Sequence, residues 1–427
     1  MATNLVTGNV VIGQSGGPTA VINQSLVGVV EGVRFGLQAA GHVKKVLGMR
    51  HGVRGLTKGE FLDLTDTHQD VLDRLANTPS AGLGSTRDKP DKAYCERILD
   101  ACRKHDVRYF FYIGGNDSSD TCRIVREMAV ASGYDMRCFH VPKTVDNDLR
   151  ENDHTPGFPS AARFVAMACM ADFLDNISLP GIKINVIMGR HAGFLTAASA
   201  LARRYDRNLN PNVAAESTDG PQLIYLPEVP FDVDRFLADV DSVYSKKGRC
   251  HIAVSEGIQD KDGVAIGARL IKGGQTDSHG NVQLSGSGAL GDLLADFVKE
   301  KLTPAGGKPP RVRADTFGYI QRCWPDSSII DRIEARRSGR FAGTLAMQGW
   351  LDGSVAIKRP GTGSALWMGS DNGVPYISEY ARVELSAVAA KTRHMPEEFM
   401  LGHNNVSKQF LEYCLPLVGD LPGFERL

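Results

Sequence analysis

Short apolar runs alternate with amphipathic segments along most of the 427-residue chain. The runs have the length of strands and the continuous apolar character of strands that are covered on both faces. They lie at residues 9–13, 108–113, 137–142, 183–188, 222–226 and 250–255. The segments between them, such as 118–131, 161–176 and 233–244, carry apolar residues at helical spacing. This order predicts an α/β protein with largely parallel sheets.

The length of the chain is sufficient for more than one domain. We predict two Rossmann-like three-layer α/β domains with mostly parallel sheets, and an active site in the cleft between them. We expect the first domain to hold residues 1–157 and a later segment at about 324–353, and the second to hold 158–323. Residues 354–427 are expected to pack across both domains, and beyond about 369 they show no recognisable chemistry.

Charge and composition exclude several classes of function. Lys and Arg together number 49, as do Asp and Glu, so no general attraction to nucleic acid or to an anionic membrane is expected. No apolar run reaches the ~18 residues of a membrane-spanning helix. The eight cysteines are scattered, and the first residues lack the long apolar region of a signal peptide. We therefore expect a cytoplasmic protein with reduced thiols.

Glycines follow the first predicted strand, in the order Ser15, Gly16 and Gly17. At a turn from a strand to a helix, such residues form an anion nest if their backbone N–H groups point outward, but they also form plain turns. A second glycine loop, residues 81–87, ends in Arg87. Its planar side chain suits a phosphate clamp, although most arginines are surface residues.

The most informative stretch covers residues 109–149. One apolar run ends in GGND at residues 114–117, and the next ends in KTVDND at residues 143–148. Ligands of open α/β sheets bind at the carboxyl ends of strands, so the two runs predict a phosphate site. Asn116 and Asp117 come at the start of a helix, where they serve either as N-caps or in phosphate or metal chemistry.

The KTVDND segment brings together one cation and two carboxylates. If the segment is extended, Asp146 and Asp148 point to the same side. One carboxylate would then hold a metal while the other accepts a proton. Lys143 is a compact cation suited to the charge on a phosphoryl group in transfer. The alternative is a polar surface turn, which such a dense polar cluster after a strand disfavours.

Three motifs in the second half of the chain are candidates for binding a sugar phosphate. The strand at 183–188 ends in Met188, Gly189 and Arg190, and the strand at 250–255 ends in Glu256. A third motif carries a tyrosine and two arginines within ten residues, at Arg313, Tyr319 and Arg322. For that motif the alternative is an ordinary strand with polar flanks.

With these motifs in this order, the chain resembles the phosphofructokinase family from residue 9 to about 349. Within the family it looks most like the pyrophosphate-dependent branch. The resemblance implies reversible transfer of a phosphoryl group from pyrophosphate to the 1-hydroxyl of fructose 6-phosphate, with Mg²⁺, in glycolysis or gluconeogenesis. It also implies that the first domain binds the donor and the second binds the sugar phosphate.

The resemblance assigns the donor side as follows. Gly16, Gly115 and Arg87 would contact the donor phosphates, and Lys143 would stabilise the transferring group. Asp117 stands where ATP-using members have glycine, so its carboxylate would repel the α-phosphate of a nucleotide.

On the acceptor side, the resemblance makes Asp146 the base for the sugar hydroxyl and Thr144 a substrate ligand. Asn116 and Asp148 would hold Mg²⁺. Asn116 departs from the commoner aspartate and offers a carbonyl oxygen without charge.

The family's sugar-binding residues match Met188, Gly189, Arg190, Glu256, Tyr319 and Arg322, with the last two at the 6-phosphate. Arg313 matches an arginine that reaches into the neighbouring subunit's site, which implies a homodimer or homotetramer.

Other functions remain open alongside this one. The nearest is an ATP-dependent 6-phosphofructokinase on the same fold, which Asp117 together with Lys143 disfavours. A kinase of the NAD or lipid type is disfavoured by the TVDND and MGR motifs. A catalytically silent sugar-phosphate-binding subunit would not need both carboxylates and the lysine. No GxGxxG follows the first strand, which argues against a Rossmann dehydrogenase.

Overall fold

The computed structural model describes residues 5–203, 219–270, 289–359 and 378–423. The chain divides into two compact units. The first unit holds residues 1–160 and 322–393, and the second holds 161–321 and 394–427. The predicted bounds, and the donor and sugar roles attached to the two domains, stay predictions.

A seven-stranded sheet forms the centre of the first unit as far as it is described, in the order β11-β10-β5-β4-β1-β2-β3. Its central strands, together with β10, run parallel, while β3 and β11 pair antiparallel at the two edges. The strands are β1 (Gly8–Gln14), β2 (Val43–Met49), β3 (Phe61–Asp63), β4 (Val107–Gly114), β5 (Arg137–Pro142), β10 (Asp352–Lys358) and β11 (Glu379–Val383).

Helices cover both faces of this sheet. Successive residues of β1 show this, because Val10 and Ile12 pack into one apolar cluster and Val11 packs into another. The helices of the first unit are Ile22–Val33, which continues as a π-helix at Arg34–Gln38, and then Val53–Lys58, Gln69–Ala76, Lys92–Lys104, Asn116–Ala131, Ile329–Met347 and Leu385–Val388. The long helix Phe158–Ser178 begins at the boundary between the units.

Two helices of the first unit, Ile22–Val33 and Ile329–Met347, pack at very short range. A Cβ added at Gly28 would lie 2.1 Å from the carbonyl oxygen of Arg336, so only glycine permits this approach. Glu31 is buried beside that contact and accepts hydrogen bonds from Arg336 Nε at 3.1 Å and Arg340 Nε at 2.6 Å. Burial raises the pKa of Glu31, but the hydrogen bonds from the two arginines outweigh it and lower this pKa to about 2.

We expect Glu31→Gln to destabilise the first unit by about 2 kcal/mol at pH 7, which lowers its unfolding midpoint by roughly 4–8 °C. Because the folded pKa lies below the ordinary value of 4.5, the stabilisation is complete above pH 4.5 and is lost as the pH falls toward 2. Thermal unfolding at several pH values checks this. Lys44→Gln, which breaks an exposed ion pair with Asp106, is the control and should change little. If the difference in unfolding midpoint between Glu31→Gln and the wild type were as large at pH 2 as at pH 7, the ionised Glu31 side chain would not be its cause.

The second unit has its own sheet, four-stranded in the described residues, with the order β7-β8-β6-β9. Every pairing in it is parallel. The strands are β6 (Ile182–Ile187), β7 (Leu223–Tyr225), β8 (Cys250–Ser255) and β9 (Val312–Thr316). The remaining helices of this unit are Phe194–Ala198 with the 3-10 turn Ser199–Ala202, then Val233–Lys247, Ile266–Leu270, Ala289–Lys301, the 3-10 helix Gly318–Arg322, the 3-10 turn Glu397–Phe399 and Lys408–Val418.

Two further expectations can be compared with the described residues. None of the eight cysteines, all of which lie in the described ranges, forms a disulfide. Over the same ranges, no helix is both long enough and apolar enough to cross a membrane.

Candidate active site

The carboxyl ends of β1, β4 and β5 lie side by side in the first unit. Gln14 pairs with Ile113, and Gly114 pairs with Pro142, so the residues that follow these strands leave the sheet at one edge. Both runs of the central stretch therefore end where the sequence predicts, next to the glycine turn that follows β1.

The turn after β1 is built around Gly16, whose φ of 76° favours glycine. Its backbone N–H donates to the Thr86 carbonyl at 2.8 Å, and the N–H of Ser15 donates to the Ile113 carbonyl at 2.9 Å. Of the three N–H groups that an anion nest would point outward, those of Ser15 and Gly16 are therefore bonded inside the protein, as in the alternative of a plain turn. The turn is instead held closed by the glycine loop that carries Arg87.

Lys143 fills the space that Gly16 leaves open. Only 3% of the residue is exposed, and Nζ donates to the Gly17 carbonyl at 2.8 Å. A Cβ on Gly16 would lie 3.0 Å from that Nζ, so the glycine admits the ammonium group. The backbone N–H of Lys143 donates to the Gly114 carbonyl at 2.9 Å, which ties β4 and β5 together at this point.

Further cations surround the same turn. A Cβ on Gly17 would lie 3.0 Å from the guanidinium carbon of Arg322, so this arginine lies against the turn. Burial lowers the pKa of Lys143 to about 7; repulsion from Arg322 and Arg87 adds to this, and Asp148 and Asp146 partly oppose it. A buried lysine among arginines is an environment that a polyanion would stabilise.

Exposure alternates along the segment that follows Lys143. Thr144, Asp146 and Asp148 are half-buried, while the residues between them are buried. The two carboxylates are thus accessible where Val145 and Asn147 are not, as expected for side chains on one side of the segment. The segment is not a regular strand, however, because Asn147 has a φ of 58°.

Asn116 and Asp148 lie next to each other. Asn116 Nδ2 donates to Asp148 Oδ2 at 3.2 Å, and the Oδ1 atom of Asn116 is buried with no hydrogen-bond partner in the described residues. Within that part of the chain no group of three or more His, Cys, Asp or Glu side chains could hold a metal by itself. A carboxylate beside an unsatisfied amide oxygen suits Mg²⁺, which commonly completes its shell with waters and substrate phosphates.

Asn116 opens the helix Asn116–Ala131, and Gly115 occupies the N-cap position. The sequence predicts that this helix begins at Ser118, but it begins two residues earlier. Asn116 and Asp117 are therefore first-turn residues and not N-caps. Asp117 is 62% exposed, and its Oδ2 atom lies 3.2 Å from Lys89 Nζ. Its carboxylate faces solvent from the start of the helix, where the helix dipole favours negative charge.

The second unit brings Arg190 and Glu256 together, with Arg190 Nε 3.8 Å from Glu256 Oε1. They follow β6 and β8, which pair in parallel from Ile182 to Ile187. Ser255 Oγ donates to the Gly189 carbonyl at 2.8 Å and so joins the two turns. Gly189 has a φ of 120°, a conformation that L side chains rarely adopt.

The third predicted motif of the second unit lies on and after β9. Gln321 donates from Nε2 to the Gly318 carbonyl at 2.8 Å and accepts from the Met188 N–H at 3.4 Å, so it connects this motif to the turn after β6. Tyr319 is 60% exposed, and Arg313 is also exposed on its strand. Tyr319 and Arg322 lie three residues apart on the 3-10 helix Gly318–Arg322, and the first unit resumes at the last residue of that helix.

Several residues that shape these turns were not predicted from the sequence. In the first unit they are Thr86, Lys89 and His140, and in the second unit they are Ser255 and Gln321. Their contacts run largely through backbone carbonyls, which leave no pattern in a sequence. Thr86 and Gln321 did carry a signal, because they stand inside the glycine loop 81–87 and the Tyr319–Arg322 motif.

A model of the phosphofructokinase family matches residues 9–346, which is well over half of the chain. The chain belongs to the phosphofructokinase family. The matched residues include both sets of strand-end residues described above. The match also ends before β10 and β11, which therefore lie outside the family model.

Individual members of the family are similar to this chain over nearly its whole length. The pyrophosphate–fructose 6-phosphate 1-phosphotransferase of Rhodospirillum rubrum is 51% identical over 424 residues, with 98% of this chain and 96% of that protein aligned. The protein of the same name from Xanthomonas campestris is 35% identical over 430 residues, with 98% and 93% aligned.

A solved structure gives the same result for the fold. The crystal structure of the pyrophosphate-dependent phosphofructokinase of Nitrosospira multiformis superposes with a TM-score of 0.79 at 31% identity, covering 98% of this chain and 94% of that one. The predicted α/β fold with two mostly parallel sheets is confirmed.

Proposed function

We propose that this chain catalyses the reversible transfer of a phosphoryl group from pyrophosphate to the 1-hydroxyl of D-fructose 6-phosphate. The products are fructose 1,6-bisphosphate and phosphate. The observation that carries the proposal is the buried ammonium group of Lys143 at the Gly16–Gly17 turn, followed at once by the accessible carboxylates of Asp146 and Asp148. This arrangement provides a cation for the phosphoryl group and carboxylates for the hydroxyl group that attacks it.

In the proposed reaction, the bond between the bridging oxygen and the terminal phosphorus of pyrophosphate breaks. The sugar O1 forms a new bond to that phosphorus, its proton passes to Asp146, and phosphate leaves. Lys143 and Arg87 neutralise the charge on the moving group, while Gly16 and Gly115 keep the backbone close to the donor. The position of Arg322 against Gly17 supports a share in this neutralisation, in addition to its proposed contact with the sugar 6-phosphate.

Mg²⁺ fits the pair formed by Asn116 and Asp148, because the amide supplies an unsatisfied oxygen and the aspartate supplies charge. When bound, the ion would offset negative charge on the donor oxygens. Asp148 carries the larger share of the binding in this proposal, since Asn116 contributes no charge. Thr144, which precedes the base by two residues, contacts the substrate.

The sugar phosphate is proposed to bind the strand ends of the second unit. Arg190 and Glu256 lie within 3.8 Å of each other, and Gly189 keeps the turn that carries Met188 in a shape no other residue readily adopts. Tyr319 is proposed to hold the 6-phosphate. A hydroxyl-rich sugar suits this mixture of one carboxylate and several donors.

We also propose that the active protein is a homodimer or homotetramer in the cytoplasm. Arg313 is exposed on β9, an edge strand of its sheet as described, and so is available to a neighbouring subunit. In this arrangement Arg313 of one copy would contribute to sugar-phosphate binding by the other. Neither nucleic acid nor a membrane is a proposed partner.

One spectrophotometric comparison tests the function. Fructose 1,6-bisphosphate formation is measured with pyrophosphate and with ATP, and the reverse reaction is measured with phosphate and with ADP. We expect turnover in both directions with the pyrophosphate couple and at least ~100-fold lower kcat/KM with the nucleotide couple. Equal use of ATP would favour an ATP-dependent 6-phosphofructokinase, and no turnover with either donor would favour a silent binding subunit.

Asp117→Gly should raise kcat/KM with ATP by at least ~10-fold, because it removes a carboxylate that repels the inner phosphates of a nucleotide. The measurement is the ratio of kcat/KM for ATP to that for pyrophosphate. Asp120→Gly is the control, because it makes the same change from aspartate to glycine four residues after the start of the same helix. It should leave the ratio unchanged. If Asp117→Gly prefers pyrophosphate to ATP as strongly as the wild type does, Asp117 does not select the donor.

A further inference from the structure

The loop that carries Asp146 and Asp148 does not adopt a regular backbone conformation. It follows β5 directly, and both Asn147, with a φ of 58°, and Glu151, with a φ of 64°, lie in the left-handed region. Such conformations are costly for residues other than glycine and persist only when the surrounding structure enforces them. The contacts that support this loop therefore decide where the two carboxylates point.

One set of supports comes from the loop itself. The N–H of Thr144 donates to the Pro156 carbonyl at 3.1 Å, and Thr155 Oγ1 donates to the Thr144 carbonyl at 2.9 Å. The N–H of Thr155 donates to Asn147 Oδ1 at 3.1 Å. These bonds close the base of the loop and hold its first half, up to Asn147.

The second half is held by the C-terminal part of the chain. The N–H of Arg393 donates to the Asp148 carbonyl at 2.7 Å. Its side-chain Nη1 atom donates to the Asn152 carbonyl at 2.8 Å and to the Asp153 carbonyl at 2.6 Å. Arginine suits this task because its rigid planar group binds adjacent acceptors in a fixed geometry.

The neighbour of Arg393 adds to the same contact. Thr392 forms an isolated antiparallel bridge with Leu149, and its carbonyl accepts from Arg150 Nε at 3.3 Å. Residues 392–393 thus contact the loop from Asp148 to Asp153 almost continuously. They lie beyond residue 346, where the match to the family model ends.

We propose that Arg393 is a positioning residue for Asp146 and Asp148, acting from the C-terminal segment on the backbone of the catalytic loop. This assignment rests on the proposed phosphoryl transfer. It gives a function to a segment whose sequence shows no chemistry. A displacement of about 1 Å at a reacting group can cost ~100-fold in rate, so loss of this support acts on turnover more than on binding.

The test compares Arg393→Met with the wild type in two independent measurements. Methionine keeps much of the apolar stem but cannot donate to the Asn152 and Asp153 carbonyls. We expect kcat to fall by about 10-fold while KM for either substrate changes less than ~3-fold. Amide hydrogen exchange, followed by mass spectrometry, should become faster in residues 144–153 without substrate present.

Two further variants make the result decisive. Lys358→Met removes an exposed ion pair with Glu151 of the same loop, 3.4 Å long, and should leave kcat and exchange unchanged. Arg393→Lys keeps the charge but loses the planar guanidinium group, so its kcat and its protection from hydrogen exchange should lie between those of Arg393→Met and the wild type. If Arg393→Met does not fold, Arg393→Lys takes its place in the comparison.

The proposal is overturned if Arg393→Met, or Arg393→Lys in its place, shows wild-type kcat and wild-type exchange in the loop. It is also overturned if KM rises as much as kcat falls. Should the wild type fail to use pyrophosphate, the proposed function fails, whereas the exchange measurement still decides whether Arg393 holds the loop.

Discussion

Asp146→Asn should lower kcat by about 10²–10⁴-fold and leave KM for both substrates nearly unchanged. The substitution keeps the shape of the side chain and removes its ability to accept the proton of the sugar 1-hydroxyl. Asp146 is half-buried in the segment that follows Lys143, as are Thr144 and Asp148, whereas the residues between them are buried. Because Asp146 is the proposed base in the forward direction and the proposed acid in the reverse direction, the loss should be the same in both directions.

The measurement is steady-state turnover in both directions with the purified variant, together with its unfolding midpoint. Asp100→Asn changes an exposed carboxylate that pairs with Arg103 and serves as the matched control, with kcat expected within ~2-fold of the wild type. Near-normal turnover of Asp146→Asn would show that another group accepts the proton.

Lys143→Met should lower kcat by about 10²–10³-fold, because it removes the buried charge that is proposed to stabilise the transferring group. The loss should exceed that of Lys89→Met, which removes an exposed cation paired with Asp117 near the same helix start. Methionine is similar in length and apolar, so the space beside Gly16 stays filled. If both variants lost activity equally, the buried position of Lys143 would have no special role.

The pH dependence gives a second measure of Lys143. Its pKa in the free protein is lowered to about 7, first by burial and then by repulsion from Arg322. The ammonium form is therefore lost as the pH rises through 7, and kcat/KM for pyrophosphate should fall above that pH. In Lys143→Arg the charge persists, so this decline should move to higher pH. A comparison of the two profiles cancels the ionisation of the substrate itself, and identical profiles would contradict the assignment.

The strands of the site could be predicted closely from the sequence. Residues Arg137–Pro142 form β5 with the predicted bounds, all six are buried, and the polar segment that begins at Lys143 ends the strand. The polar cluster that follows was recognisable for the same reason, since it breaks a buried run at the end of a strand.

Partners of backbone groups could not be predicted from the sequence. The N–H of Ser15 donates to the carbonyl of Ile113 and that of Gly16 to the carbonyl of Thr86, so a turn that resembles an anion nest has two of its donors occupied by distant residues. The guanidinium of Arg322 lies against Gly17, a contact that the spacing of Tyr319 and Arg322 does not indicate. Both outcomes depend on which distant segments pack together.

The sequence by itself indicated a phosphate site, through residue types at strand ends whose burial pattern is local. The order of its motifs then indicated the phosphofructokinase family, which the family match confirms. Only the tertiary structure decided how these residues are held. It buries Lys143 between a glycine turn and two arginines, which lowers its pKa, and it brings Arg393 onto the backbone of the catalytic loop. Those contacts join residues far apart in the chain, and burial and carbonyl acceptors are properties of the folded protein alone.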